Sequence, residues 1–236
     1  MPANFAPTSL DHVALWVDER EALATFVCEH LGMHVIEETD TFTLVGIDAK
    51  LGKLTLFDAE GPRQRGALDR VVLRVNDLES VLGSLPFNAV LRDDGVALRD
   101  DGVAAFEAPS GLPLGLTQGE GRDFDLDHVV LGLEDPDAAL GCLDELGFDR
   151  RADGTAAVDD RYVRIVRGHP VDGDRPLLNH LALLVDDAYG VQDEAEGAGF
   201  EIDDVKDAKN TFAVFLRGPE GVRIEYVEHK PGFALV

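Results

Sequence analysis

Four octapeptides carry the residues best suited to chemistry. LDHVALWV begins at Leu10, LDRVVLRV at Leu68, LDHVVLGL at Leu126 and LNHLALLV at Leu178. Each is an apolar run with a polar pair near its start, and the third position holds His12, Arg70, His128 or His180 in turn. These positions lie 58, 58 and 52 residues apart, a period of supersecondary size. A second match joins the ends of the second and fourth copies, where PSGLPLGL from Pro109 parallels PEGVRIEY from Pro219. Glu225 in the latter stands where Gly115 stands in the former. An imidazole offers a neutral nitrogen and a carboxylate an anionic oxygen. Two histidines and one glutamate converging from neighbouring strands therefore make a facial triad that holds a divalent transition metal and leaves coordination positions open. The repeat assigns His128, His180 and Glu225 to such a triad. The matching positions of the first half are His12, Arg70 and Gly115, one donor of three, so no metal is expected there.

The elements that must position these groups follow from the pattern around each copy. The octapeptides alternate as strands do. After the third, Asp135-Pro136 offers an N-cap and a first-turn proline, with Leu140, Leu143 and Leu146 at helical spacing and Gly147 as the stop. In the first copy Asp18 is the expected cap, with Leu23, Phe26, Val27 and Leu31 on one face and Gly32 closing. Two or three short strands follow each helix, as in Thr41–Val45 and Thr211–Leu216, and the helix after Asn76-Asp77 is expected to be short. The fold class is α+β: four βαβββ modules paired two and two into cupped, partly open β-barrels. Chain order suggests residues 8–118 as an N-terminal module pair without a metal site. Residues 124–230 form a C-terminal pair carrying one, and the polar GEGRDF from Gly119 marks the joint.

Composition narrows the function classes. A net charge of −25, from 46 acidic against 21 basic residues, disfavours nucleic acid and anionic membranes as partners. No apolar run reaches the length of a membrane span, and MPANFAPTSL has no basic region or signal-length apolar stretch, so the expectation is a cytoplasmic protein. An acidic chain with five lysines suggests a halophilic setting in which salt screens self-repulsion. Cys28 and Cys142 read as buried thiols. No G-x-S-x-G or strand-turn-helix phosphate loop occurs. His30, His34, His169 and His229 fall outside the repeat; His229 is expected at the surface, and His169, in RGHP, at the border of the cup.

On these motifs the chain resembles the vicinal oxygen chelate superfamily, which includes glyoxalase I, fosfomycin-resistance proteins, methylmalonyl-CoA epimerase and type I extradiol catechol dioxygenases. The resemblance runs from about Leu10 to Glu228. The four-module layout, with EGVRIEY around Glu225, looks most like the extradiol dioxygenases. That likeness implies Fe(II), occasionally Mn(II), and a catechol or enediol-like small-molecule substrate cleaved with dioxygen. It also implies a homo-oligomer, though no interface is marked in the sequence. Those enzymes add two histidines and a tyrosine around the metal. Here the corresponding positions align with Tyr162 (or Arg161), Lys206 and Phe215. Because proton transfer needs a group active near neutral pH, the candidate catalytic groups are Tyr162, His169 and Lys206. Two other readings accompany the dioxygenase. One is an isomerase, lyase or hydrolase using Zn(II), Ni(II) or Mn(II) as Lewis acid, for which the strand Tyr162–Val166 offers no fourth ligand. The other is a non-catalytic small-molecule binding protein.

Overall fold

The computed structural model describes residues 5–50, 52–86, 97–98, 102–169 and 175–233. The four modules each have the expected βαβββ order. The first comprises β1 (Ser9–Val17), α1 (Arg20–His30), β2 (His34–Glu38), β3 (Phe42–Gly46) and β4 (Lys53–Asp58). The second comprises β5 (Leu68–Val75), a seven-residue α2 (Leu78–Ser84), β6 (Ala97–Leu98), β7 (Ala104–Ala108) and β8 (Leu112–Gln118). The third comprises β9 (Asp125–Leu133), α3 (Pro136–Glu145), β10 (Asp149–Arg150), β11 (Thr155–Val158) and β12 (Arg161–Arg167). The fourth comprises β13 (Leu178–Leu184), α4 (Ala188–Ala198), β14 (Ile202–Asp207), β15 (Thr211–Arg217) and β16 (Arg223–His229).

The helix signals act as read, with one exception. The Asp135 side chain accepts from the amide of Ala138 ahead of α3, with Pro136 in the first turn. Helix α1 is entered through Glu19 rather than capped by Asp18, and no side-chain cap is made. Its start is tied instead to the second module, where Ser110 Oγ accepts from the Glu19 amide at 2.9 Å. None of the helices among the described residues is long and apolar enough to cross a membrane.

Two mixed eight-stranded sheets result, in the orders β14-β15-β16-β13-β1-β4-β3-β2 and β10-β11-β12-β9-β5-β8-β7-β6. The pairing by chain order is therefore corrected. The first module shares a sheet with the fourth, through β1 antiparallel to β13, and the second with the third, through β5 antiparallel to β9. The short joint is compatible with this. Residues 119–124 leave β8 and enter β9, and β5 lies between those two strands, so six residues need only span two strand spacings, about 10 Å. The expected boundary at 119–124 thus falls inside one sheet, and the chain's first and last modules are left to each other.

Strand alternation then sorts residues onto two faces. Val13, Leu15 and Val17 of β1, Leu181 and Leu183 of β13, Val129 and Leu131 of β9, and Ile224 and Tyr226 of β16 enter one continuous core together with Leu23, Val27, Leu140 and Leu143 of the helices. The intervening residues line the cups. One cup holds Ala182, Ala213, Phe215 and Val227 as a separate apolar cluster, and the other holds Val72, Val103 and Val130.

Candidate metal centre

The register places three donors together. Ala182 of β13 pairs with His12 on one side and with Glu225 on the other, and His180 lies one pleat away on the same face. The small side chain of Ala182 leaves the space above it to its neighbours. His12 Nε2 lies 3.1 Å from His180 Nε2 and 3.2 Å from Glu225 Oε2, and His180 Nε2 lies 2.8 Å from the same oxygen. Among the described residues this is the group of His, Cys, Asp or Glu side chains close enough to share an ion. The triad expected from the repeat is thereby altered in one member, with His12 in place of His128.

The other nitrogens of both rings are already engaged. His12 Nδ1 donates to Asp11 Oδ2 at 2.7 Å and His180 Nδ1 to Asn179 Oδ1 at 2.9 Å. A carboxylate accepts only, and the amide oxygen likewise, so each Nδ1 carries its hydrogen and each neutral ring turns a lone pair at Nε2 toward the other and toward Glu225. Glu225 Oε2 is buried and accepts no well-formed hydrogen bond. Three convergent lone-pair atoms require a shared cation. Ligands about 2.1 Å from a metal at right angles are separated by about 3.0 Å, and the three edges match that face.

In the absence of metal a proton serves instead. Burial opposes the charged form of His12, but Glu225 and Asp11 outweigh it and raise its pKa to about 9. Burial lowers that of His180, and the charges of His12 and Arg223 add to the effect. Burial likewise opposes ionisation of Glu225, yet the two histidines hold its carboxyl well below the usual range.

Around the triad, Trp16, Phe57 and Phe42 stand directly opposite one another across β1, β4 and β3. Their ring centroids are 5.3 and 5.7 Å apart. This aromatic wall shares the face of His12, with Ala14 between. On the far side, Phe215 is paired with Glu225 across β15, and its ring meets His180 edge-on at 5.1 Å. Thr55 pairs with Ala14 as Glu225 pairs with Ala182, so a hydroxyl stands where pseudo-symmetry would put a fourth ligand.

The remaining expected residues lie elsewhere. His128 belongs to the second sheet, where its ring stacks on Tyr162 at 4.4 Å and its Nδ1 meets Asp127. The row Arg70, Val130, Arg164 there corresponds to His12, Ala182, Glu225, and two guanidinium groups do not hold a metal. A Cβ on Gly115 would come within 2.5 Å of Val103, so that cup is filled. Tyr162 thus stands on the second sheet beside His128, and the triad stands on the first. Arg161 is a structural tie, with paired bonds to Asp125 and one to Ser9 Oγ at 3.1 Å. His169 is 86 % exposed beside Glu134. Lys206 lies on the outermost strand of the correct sheet, across from Ala213, but is largely exposed and paired with Asp204 at 2.9 Å. His229 is partly buried, its Nε2 3.3 Å from Asp11 Oδ1. Asp11 and Lys53 were missed entirely, although the LDH triplet and the scarcity of lysine both marked them.

Comparison with known proteins agrees with this architecture. The sequence profile described as Glyoxalase/Bleomycin resistance protein/Dioxygenase superfamily matches residues 9–84 and 125–226. No curated protein matches the sequence. Among solved structures, a putative dioxygenase from Bacillus subtilis subsp. subtilis str. 168 is 18% identical with a TM-score of 0.73, covering 97% of this chain and 87% of that one. Glyoxalase I from Zea mays is 14% identical with a TM-score of 0.71, covering 93% and 92%. The cppA protein from Streptococcus pneumoniae TIGR4 is 17% identical with a TM-score of 0.60, covering 94% and 99%. At these identities the likeness concerns the fold.

Proposed function

The chain belongs to the glyoxalase/bleomycin resistance protein/dioxygenase superfamily, and from that premise we propose that it is a metal-dependent dioxygenase that opens the ring of a catechol-like substrate, with His12, His180 and Glu225 as ligands. The observation that carries this reading is the three-donor face with Thr55 at the symmetric fourth position. Three protein ligands leave adjacent positions for both oxygens of a chelating substrate and for dioxygen. Fe(II) is the expected metal and Mn(II) the next. When bound, the metal supplies chelation of the substrate and the electron transfer that dioxygen requires.

The chain's own groups do the rest. Two histidines and one carboxylate leave a divalent ion with a single positive charge, which favours an anionic oxygen ligand. The wall of Trp16, Phe57 and Phe42 offers ring faces to a planar substrate and keeps water from one side of it. The guanidinium of Arg175 lies 5.0 Å from the Trp16 ring, a place for an anionic substituent. A Lewis-acid isomerase needs in addition a base to shuttle a carbon-bound proton. The Thr55 hydroxyl is not a base near neutral pH.

Protein purified anaerobically and loaded with Fe(II) should consume oxygen when given catechols and yield a ring-opened, coloured product, and His180→Ala should abolish both. Oxygen-independent turnover of a hemithioacetal or epimerisable substrate with Zn(II) or Ni(II) would instead select the Lewis-acid class. Ligand binding without any metal uptake would select a binding protein.

A further inference from the structure

Behind each histidine of the triad the sheet repeats one arrangement. Asp11 Oδ2 accepts from His12 Nδ1 at 2.7 Å, and the other oxygen accepts from Lys53 Nζ at 2.9 Å. Asn179 Oδ1 accepts from His180 Nδ1 at 2.9 Å and lies 3.4 Å from Arg223 Nη1. The acceptor is in both cases the residue before the histidine. The cation is in both cases two residues before one of the two symmetry-related side chains, Lys53 before Thr55 and Arg223 before Glu225, on the strand parallel to the histidine's own.

The two copies differ in strength. Lys53 and Asp11 are 3 % and 1 % exposed, and Lys53 Nζ also donates to the carbonyls of Ala49 at 3.0 Å and Lys50 at 3.3 Å. All three ammonium hydrogens are thus spent on the protein. Arg223 is only partly buried, shares its charge with Asp203 and lies over Phe215. A buried ion pair is weak as a source of stability, since the cost of desolvating both charges consumes most of their attraction. Its retention beside a donor atom points to another use.

We propose that Asp11 with Lys53 is a positioning unit for the metal, fixing the His12 ring so that Nε2 faces the site as a strong donor, and that Asn179 with Arg223 is its weaker counterpart behind His180. The proposal rests on the metal reading given above. Carboxylates and amides behind metal-bound imidazoles fix ring orientation and donor basicity, and their loss weakens metal affinity by about 10- to 100-fold. Lys53 lets Asp11 stay charged in a buried place and holds it in one rotamer. The asymmetry makes His12 the firmer ligand of the two.

The test is Mn(II) binding by the full chain, read from the free-ion electron paramagnetic resonance signal, in wild type, Asp11→Asn/Lys53→Met and Asn179→Ala. The double variant removes both buried charges together, which separates the effect on metal from a lone uncompensated charge. The metal-free melting temperature should stay near that of wild type while the dissociation constant rises about 10- to 100-fold, and the visible bands of the Co(II) form should shift. Asn179→Ala should weaken Mn(II) less, by about 10-fold. Mn(II) held as tightly by the folded double variant as by wild type would overturn the proposal. Should the double variant not fold, wild-type affinity in Asn179→Ala would overturn it in the same way. A wild-type protein that takes no Mn(II) would overturn the metal reading as well.

Discussion

At the scale of single residues, one proton and one ion compete for the same three atoms. The pKa of His12, about 9 without metal, lies above its ordinary value of 6.5 because Glu225 and Asp11 favour the charged ring over the opposition of burial. The sign follows directly. A group whose pKa is raised by folding contributes stability that is complete below pH 6.5 and fades as pH climbs through about 9. The metal-free protein should therefore melt at progressively lower temperature across that window. Metal must expel the same proton, so Mn(II) affinity should rise with pH over the same range and level off above it. Calorimetry in buffers of different ionisation heat should detect about one proton released per ion at pH 7; a release of zero would contradict the shared-proton picture. The sequence made most of this chemistry visible. His180 and Glu225 were legible because repeat position and residue type agreed. Asp11 was visible as the middle letter of LDH, but its role depends on Lys53, which is 42 residues away and meets it only through the pairing of β1 with β4.

At the scale of elements, the modules were readable because each signal is local. Alternation marked the strands, Asp135-Pro136 marked the start of α3, and the weak apolar pattern after Asp77 announced a short α2. Asp18 misled because α1 takes its entry from Ser110, 91 residues away, a contact without a local signature. Strand alternation also explains why Tyr226, next to Glu225 of the proposed triad, belongs to the fold. Its side chain points to the face opposite Glu225, and its hydroxyl donates to the carbonyl of Leu146 at 2.6 Å, tying β16 of one sheet to the end of α3 beside the other. Tyr226→Phe leaves that carbonyl without its donor in a buried place. The expected loss is about 1–2 kcal/mol of unfolding free energy, measured by urea denaturation, with Mn(II) affinity unchanged. A large loss of affinity in a folded Tyr226→Phe would mean that the two faces of β16 are not independent.

At the scale of the whole molecule, two properties dominate: the excess of acid and the order in which modules pair. A charge of −25 spread over every segment repels itself in the compact state. At molar potassium chloride, where the screening length is about 3 Å, the melting temperature should rise above its value in dilute buffer; a flat or falling trend would remove the halophilic reading. The pairing order is where sequence reasoning failed, for a physical reason. LDHVALWV and LDHVVLGL present the same period and the same polar pair, so neither states which partner strand it will join. The pairing joins β1 to β13 and β5 to β9 across connections of six residues between β8 and β9 and nine between β4 and β5, and neither length carries a motif. His12 and His128 exchanged roles because the first module shares its sheet with the fourth and not the second. The most direct measurement is therefore the metal content of His12→Ala and His128→Ala after identical anaerobic loading with Fe(II), beside wild type at about one ion per chain. His12→Ala should retain almost none and His128→Ala should match wild type; an empty His128→Ala with a loaded His12→Ala would contradict the assignment of His12 to the triad.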